Sequence, residues 1–341
     1  MTALKTILAG CGGMSRVWVD AAKSMPDAVE LVAFVDLNRD AAAERARDYG
    51  AQNPIIETDI RTALDQIDAD IVFDCTIPEA HYEITLAALE AGCHVLGEKP
   101  LAHSMQAARE MVTAAESAGK QYAVIQNRRY NKHIRRAKSF VESGALGTLT
   151  TLNSDFFLAP HFGGFRAEMD HVLLLDMAIH TFDAARYLTG ADPVSVYCKE
   201  WNPAESWYAH GASAVAIFEM TGGIVYTYRG SWCAEGLQTS WEATWRVTGT
   251  NGTALWDGGE RLQAQTVASS DKFFSDLNDE KIPPASEMPE VGHAAIMAEF
   301  IDCIHNGCTP LTTASDNIKS LAMVFGAIES AETGRPVDIF V

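Results

Sequence analysis

An acid and a histidine four residues apart, Asp176 and His180, are the side chains of this sequence best suited to do chemistry together. On a helix this spacing puts both on one face, one turn from each other. The surrounding run, Val172 to Leu188, is strongly apolar, so a carboxylate and an imidazole there cost free energy unless they are paired or used. A carboxylate beside a histidine orients a general base and raises its basicity. The alternative is a satisfied polar pair on a helix docked against a sheet.

A strand, a glycine turn and a helix follow one another near the N-terminus. The apolar run Lys5 to Ala9 leads into Gly10-Cys11-Gly12-Gly13-Met14-Ser15 and then into a helical pattern. Gly10 permits the tight turn and Gly12 lets the backbone approach a pyrophosphate, while Gly13 and Met14 lead into a helix N-terminus whose unpaired N–H groups favour an anion. A glycine turn alone is weak evidence, but here the required strand and helix flank it.

An acid at the end of the second predicted strand indicates which nucleotide is bound. Asp36 closes the run Glu30 to Val35, about 20 residues after the glycine turn, where dinucleotide-binding folds place the carboxylate that binds the adenosine ribose. This acid accepts hydrogen bonds from a diol and repels a 2′-phosphate, so NAD is favoured over NADP. Arg39 keeps NADP open because it could reach a 2′-phosphate. The alternative for Asp36 is a strand-end turn residue.

Strand and helix patterns alternate through the first 126 residues, which predicts a doubly wound parallel sheet. Ligands bind at the carboxyl ends of such strands. Three groups of residues lie there and are candidates for the cofactor and substrate: Thr76, Pro78 and His81; Glu98 and Lys99; Asn127 and Arg128. The alternative for His81 and Lys99 is an ordinary surface position.

These motifs together carry a family resemblance. GCGGMS, Asp36, TIPEAH, EKP, QNRRY and DMAIHTFDAARYLTG, in this order, resemble the glucose–fructose oxidoreductase / inositol dehydrogenase / MocA family. The resemblance implies a Rossmann domain, here 1–126, and an α+β domain with an open, largely antiparallel sheet, here 127–341. It also implies NAD(P)-dependent oxidation or reduction of sugars and polyols, with Lys99, Asp176 and His180 as catalytic residues and Asn127 near the nicotinamide.

The chain departs from the family pattern around the acid. The family often approaches it through glycines, but here the approach is Asp170 to Leu175, and Ala178 stands where a glycine is usual. This leaves the shape of the substrate pocket open, and His171 could add a second imidazole to it. Upstream, His161 and Arg166 could reach a sugar hydroxyl or an anionic substituent. Their alternative is an ordinary surface loop.

From Thr148 onwards, alternating strand-like runs separated by Gly and Asn-Gly turns predict an antiparallel sheet. Trp232, Trp241 and Trp245 lie in or near these runs, as core, subunit interface or a stacking platform for a sugar. The stretch Ala264 to Glu290 is polar and predicts an excursion loop. Two amphipathic helices, Val291 to Asn306 and Ala314 to Thr333, are expected after it.

Amino-acid composition excludes several classes of binding partner. The net charge of −19 (26 basic and 45 acidic residues) disfavours nucleic acids and anionic membranes. Seven scattered cysteines form neither a disulfide framework nor a metal-binding spacing, so we expect no metal site. No apolar run reaches the ~18 residues of a membrane span, and no signal-peptide pattern is present. We therefore expect a cytoplasmic enzyme with a small carbohydrate substrate, assembled as a homodimer or homotetramer.

The predicted reaction is hydride transfer between a secondary alcohol and NAD, with NADP possible. His180 is the expected general base, and Asp176 orients it or binds a neighbouring hydroxyl. Lys99 stabilises the developing alkoxide or shares in a proton relay. The three residues are expected to converge beside the nicotinamide. Two alternatives remain: a glycoside-cleaving enzyme that uses NAD transiently without net redox change, and a non-catalytic NAD-binding protein.

Overall fold

A computed structural model describes residues 2–289 and 291–341, and its contacts divide the chain into two compact units. The first unit contains the chain up to Asn127 together with Pro289–Ile318, and the second contains Arg128–Met288 together with Lys319–Val341. The sequence predicts two consecutive domains, 1–126 and 127–341, with C-terminal helices that pack back toward the domain junction. In the structure, Pro289–Ile318, a late part of the chain, packs within the first unit. Met1, the first residue of the predicted Rossmann domain, and Glu290, the last residue of the predicted loop, lie outside the described residues.

Both units combine strands with helices. The strands are β1 (Leu4–Ala9), β2 (Val29–Val35), β3 (Ile55–Glu57), β4 (Ile71–Asp74), β5 (His94–Gly97), β6 (Tyr122–Val124), β7 (Leu149–Phe157), β8 (Pro193–Trp201), β9 (Ser213–Met220), β10 (Ile224–Ser231), β11 (Thr244–Gly249), β12 (Gly252–Trp256), β13 (Leu262–Ser269), β14 (Asp276–Asp279) and β15 (Val337–Asp338). The α-helices are α1 (Ser15–Ser24), α2 (Arg39–Tyr49), α3 (Ile60–Gln66), α4 (Pro78–Glu90), α5 (Met105–Ala118), α6 (Lys132–Glu142), α7 (Phe165–Glu168), α8 (Ile179–Thr189), α9 (Gly292–Asn306) and α10 (Ala314–Thr333). The other helical segments are two 3₁₀ turns, Asn127–Tyr130 and Thr221–Gly223, and a π-helical segment, Leu173–Ala178.

The first unit is built on a six-stranded parallel sheet in the order β3-β2-β1-β4-β5-β6. Its central strands are apolar because both faces are covered, and every residue of β4 is buried. The predicted doubly wound parallel sheet is thus confirmed. The order reverses between β1 and β4, and ligands bind in the crevice at such a reversal. The glycine turn follows β1 at this point.

The segment 289–318 completes the first unit. In α9, the His293 ring lies 6.1 Å from the Trp18 ring of α1, at an angle of 70°. Further along, the N–H of Val124 in β6 donates to the carbonyl of Thr312 at 2.9 Å. These contacts explain why the first unit needs two separate stretches of chain.

The second unit is built on a nine-stranded sheet in the order β14-β13-β12-β11-β7-β10-β9-β8-β15. Strands β7 and β10 run parallel, and the other neighbouring strands run antiparallel, as predicted. A stack of aromatic rings lines the buried face: Phe218, Tyr226, Trp245 and Trp256. Trp245 and Trp232 are therefore core residues, whereas Trp241 is about half exposed. The α8 helix packs on this face through Phe182, whose ring lies 4.9 Å from that of Phe218.

Two expectations are wrong. The polar stretch from Ala264 contains most of β13 and all of β14, which pair with each other at the sheet edge, so it is not a plain loop. Its polarity reflects an edge whose residues face solvent. Cys303 and Cys308 form a disulfide, because the end of α9 brings their Cα atoms within 4.4 Å. In the described part of the chain, no helix combines the length and apolar character needed to cross a membrane.

We expect Gly10→Ala to destabilise the first unit, whereas Gly12→Ala leaves stability near that of the wild type. Gly10 has φ +83°, and a Cβ there would lie 2.6 Å from the Cys75 carbonyl carbon. Strain and overpacking together cost about 2–4 kcal/mol. A Cβ on Gly12 meets nothing within 4 Å. Thermal unfolding followed by circular dichroism compares the two, and equal Tm values would contradict the close approach of Gly10 to Cys75.

Candidate active site

Two side chains of opposite charge hold the glycine turn. Asp36 accepts the Cys11 N–H through Oδ2 at 2.7 Å and the Asn38 N–H through Oδ1 at 2.8 Å. Arg45 of α2 is buried and donates to the Cys11 carbonyl at 3.3 Å. The peptide groups on both sides of Cys11 are therefore fixed. The sequence analysis did not identify Arg45. The feature that could have indicated it is its spacing with Ala42 and Ala46, which form the buried stripe of α2.

The Cys11 thiol itself is not a nucleophile. Burial raises its pKa to about 12, and the negative charge of Asp36 adds to this rise. A thiol with so high a pKa stays protonated near neutral pH, and the thiolate is the reactive form. Cys11 therefore serves the turn through its backbone.

The residues present fit an NAD molecule at this edge of the sheet. Gly12, Gly13 and Met14 are exposed, and Met14 provides no side-chain cap for α1, so the first N–H groups of the helix can receive a phosphate. Asp36 is half-buried, and its carboxylate retains acceptor capacity for a ribose hydroxyl. The buried Oδ1 of Asn127 has no hydrogen-bond partner among the described residues, as expected of a group that binds a ligand. Arg39 lies 3.6 Å from Glu57, a carboxylate that competes with a 2′-phosphate.

The loop after β4 is organised by a buried carboxylate. Asp74 accepts the N–H and the hydroxyl of Thr76, and Nδ1 of His81 lies 2.9 Å from its Oδ2. Burial opposes both charges, but their mutual attraction lowers the pKa of Asp74 and raises the pKa of His81. His81 is only 1% exposed, so it is not an ordinary surface residue, and it holds the loop through Asp74. Its contact with the cofactor stays a prediction. Thr76 and Pro78 remain half-buried at the sheet edge.

Glu98 and Lys99 follow β5. Glu98 is buried; it accepts the indole N–H of Trp18 at 2.8 Å, and His293 Nε2 lies 3.3 Å away. Burial would raise the pKa of Glu98, but His293 and Trp18 hold it below its usual value. Glu98 is therefore bound within the first unit and supports the turn that carries Lys99. The N–H of Lys99 donates to Glu98 Oε2, and the Lys99–Pro100 peptide is cis.

In the second unit, Asp176 lies in the π-helical segment Leu173–Ala178, so the run predicted as one helix changes its hydrogen bonding before α8. π-helical turns occur often at functional sites. Arg166 donates to Asp176 through Nε at 2.6 Å and Nη2 at 3.4 Å. The guanidinium also lies over the rings of Phe162 and Phe165, 5.0 and 4.7 Å from their centroids. Arg166 therefore binds the carboxylate of Asp176 and is not an ordinary surface-loop residue.

His180 lies in the first turn of α8 and is only 9% exposed. The helix is anchored by Asp183, a fully buried acid that Arg129 meets with two hydrogen bonds of 2.7 and 2.6 Å. Ser320 donates to the same carboxylate at 2.8 Å. Sequence reasoning missed this anchor, whose signal is a second acid inside the apolar run around His180.

The other predicted substrate residues have partners within the second unit. His161 is exposed and stacks on Trp207 at 3.7 Å. Arg128 pairs with Glu242. His171 lies between Glu200 and Glu332. Lys99 belongs to the first unit and the Asp176–His180 pair to the second, so their convergence stays a prediction.

Two stretches of the chain match known family models. Residues 4–126 match a family model described as an oxidoreductase family with an NAD-binding Rossmann fold, and residues 134–255 match the GFO/IDH/MocA C-terminal domain. The chain is 26% identical to a 1,5-anhydro-D-fructose reductase of Ensifer adhaerens, over 97% of both chains. It is 26% identical to a D-apiose dehydrogenase of Paraburkholderia graminis, over 98% of this chain and 89% of that one. Its fold resembles an oxidoreductase from Agrobacterium radiobacter in complex with NAD⁺, L-tartaric acid and magnesium, with a TM-score of 0.86, 23% identity and coverage of 99% and 98%.

We expect Asp36→Asn to shift the preference for NAD over NADP by roughly tenfold towards NADP, because a charge that repels the 2′-phosphate is removed. The ratio of the two Kd values, measured by fluorescence titration, reports the change. Asp40→Asn, on an exposed acid in the first turn of α2, is the matched control. An unchanged ratio in Asp36→Asn would remove this residue from cofactor selection.

Proposed function

Because this chain belongs to the GFO/IDH/MocA family of oxidoreductases, we propose that it transfers a hydride between NAD and a secondary alcohol of a sugar, polyol or sugar derivative. The observation that carries the proposal is the glycine turn at the carboxyl edge of the parallel sheet, held by Asp36. The sugar reductase and dehydrogenase among its relatives support this class of substrate.

The proposed chemistry divides between three side chains. Bound NAD supplies the acceptor for the hydride. His180 takes the hydroxyl proton as the C–H bond of the alcohol carbon breaks, and Lys99 stabilises the alkoxide that develops on its oxygen. Asp176 orients His180 or binds a neighbouring hydroxyl. Arg166, which donates two hydrogen bonds to Asp176, holds that carboxylate in place.

A carboxylate clamped by a guanidinium is well suited to positioning and poorly suited to taking a proton. Both carboxylate oxygens of Asp176 accept hydrogen bonds from Arg166. We therefore assign the base to His180 and not to Asp176. Arg128, His161 and His171 remain candidates for contact with the substrate or for support of residues that contact it.

We expect His180→Ala and Lys99→Met each to lower kcat by about 10²–10⁴-fold, the usual contribution of general acid–base catalysis, with the Kd for NADH unchanged. Initial rates of NADH formation at saturating polyol and NADH fluorescence titrations measure the two quantities. His210→Ala and Lys23→Met, on exposed residues of each type, serve as controls. Near-normal turnover in either active-site variant would remove that residue from the mechanism.

The same assay separates the alternatives. Cleavage of a glycoside at catalytic NAD concentrations, with no accumulation of NADH, would replace the dehydrogenase by the glycoside-cleaving reaction. NAD binding without turnover of any sugar in a broad panel would indicate a binding protein.

We further propose that the protein is a cytoplasmic homodimer or homotetramer. Apolar side chains that are more than one-third exposed lie on four strands of the nine-stranded sheet, β8, β9, β10 and β12: Tyr197, Val215, Ile217, Val225 and Leu255. These side chains alternate along their strands with buried residues such as Phe218, Tyr226 and Trp256. They therefore lie on the face of the sheet opposite to the buried aromatic stack. An apolar face of this kind is typical of a contact between subunits. A cytoplasmic place is consistent with the use of NAD.

We expect Ile217→Glu to shift the protein to a smaller oligomer, because a buried carboxylate without a partner weakens an interface. Multi-angle light scattering at several concentrations measures the mass. Leu237→Glu, at a fully exposed position outside the strands, is the control. The same mass for wild type and Ile217→Glu would place the interface elsewhere.

A further inference from the structure

We propose that His171 is a positioning residue, which fixes the start of the π-helical segment through Glu200 and thereby sets the place of Asp176. The inference rests on the proposed function of Asp176. The sequence analysis considered His171 only as a second imidazole in the substrate pocket.

The backbone of His171 forms the entrance to the segment. Its φ of +51° lies in the left-handed region, which residues other than glycine rarely adopt, so surrounding contacts must hold it there. Its carbonyl accepts the N–H of Leu175 at 2.9 Å, one residue before Asp176. A change in the backbone of His171 therefore reaches Asp176 through a single hydrogen-bonded turn.

The imidazole supplies the contact that holds this conformation. Nδ1 is hydrogen-bonded to Oε2 of Glu200 in β8, and Nε2 lies 3.4 Å from Oε1 of Glu332 in α10. Glu200 is largely buried, and its Oε1 has no partner within the described chain, so loss of His171 would leave a buried carboxylate poorly compensated. Its site is tight: a Cβ on Gly211 would lie 2.4 Å from the Glu200 carboxyl carbon.

The link is ionic and responds to pH. The hydrogen bond to Glu200 and the charges of Glu200 and Glu332 raise the pKa of His171, although burial opposes them. Among the described residues, Asp170 precedes His171 in the chain and pairs with His210. Cys198 interacts with Glu200, and burial raises the pKa of Cys198 to about 12. Because the folded pKa of His171 lies above its unfolded value of about 6.5, the link contributes fully below that value and is lost as pH rises through the folded pKa.

Two substitutions separate the backbone and the side-chain roles of His171. Asn tolerates the left-handed region, and its Nδ2 lies as many bonds from Cα as Nδ1 of His, so His171→Asn keeps an N–H for Glu200 but does not titrate. His171→Ala has neither property. We expect His171→Ala to lower kcat roughly 10²-fold, as a misplaced catalytic group does, with the Kd for NADH unchanged. His171→Asn should retain most of kcat.

The pH profile distinguishes positioning from a general structural role. In the wild type, kcat falls at alkaline pH to about the level of His171→Asn, because a neutral imidazole keeps one N–H for Glu200 but loses the ionic attraction. In Glu200→Gln this limb moves to lower pH, and in His171→Asn it is absent. Gly211→Ala, which displaces Glu200, should resemble Glu200→Gln. His210→Asn, on the exposed histidine paired with Asp170, should keep the wild-type profile. A wild-type profile in both His171→Asn and Glu200→Gln would overturn the inference.

A second measurement keeps this test separate from that of the proposed function. The difference in Tm between wild type and Glu200→Gln should shrink as pH rises through the folded pKa of His171, whether or not the protein turns over a sugar. If no substrate is found but the Tm difference follows pH, the proposed function fails and the His171–Glu200 link stands. A Tm difference independent of pH would contradict the link itself.

Discussion

A buried ion pair fixes the helix on which the proposed chemistry depends. Arg129 meets Asp183 with two parallel hydrogen bonds, and Ser320 fills a further acceptor site of the carboxylate. Charges removed from water are costly unless such bonds compensate them, and breaking a compensated pair costs about 3–5 kcal/mol. Asp183, three residues after His180 in α8, is therefore held by Arg129, and removal of either partner would leave a buried charge uncompensated.

The same principle recurs in both units. Charged side chains fix the backbone, and the proposed ligand contacts are then made by that backbone or by a neighbouring side chain. Asp36 and Arg45 hold the peptide groups around Cys11, and Asp74 holds the turn at Thr76. Arg166 clamps Asp176 in the second unit. Each charge is matched by an opposite charge or by N–H donors, so the chain can bury many polar groups beside apolar sheets.

Elements with a strong apolar pattern could be predicted from the sequence, and those defined by tertiary contacts could not. Strand β1 and the helix Ala314–Thr333 follow from runs whose spacing suits one structure, and the order of the motifs indicated the family. The three-residue β3 is too short to show a pattern, and the apolar residues around Asp176 do not distinguish a π-helical turn from an α-helical one. The partners of Arg45, Arg129 and His171 are distant in sequence, so only the folded chain identifies them.

The first unit is assembled from two stretches of chain separated by eight of the nine strands of the larger sheet. During synthesis on the ribosome, the parallel sheet emerges long before α9, whose His293 is needed to cover Trp18 and Glu98. Trp18 and Glu98 therefore lack their contacts with His293 until more than 160 residues beyond Asn127 have been made. Synthesis of the first unit is complete only at Ile318, although its first strand is the first to leave the exit tunnel.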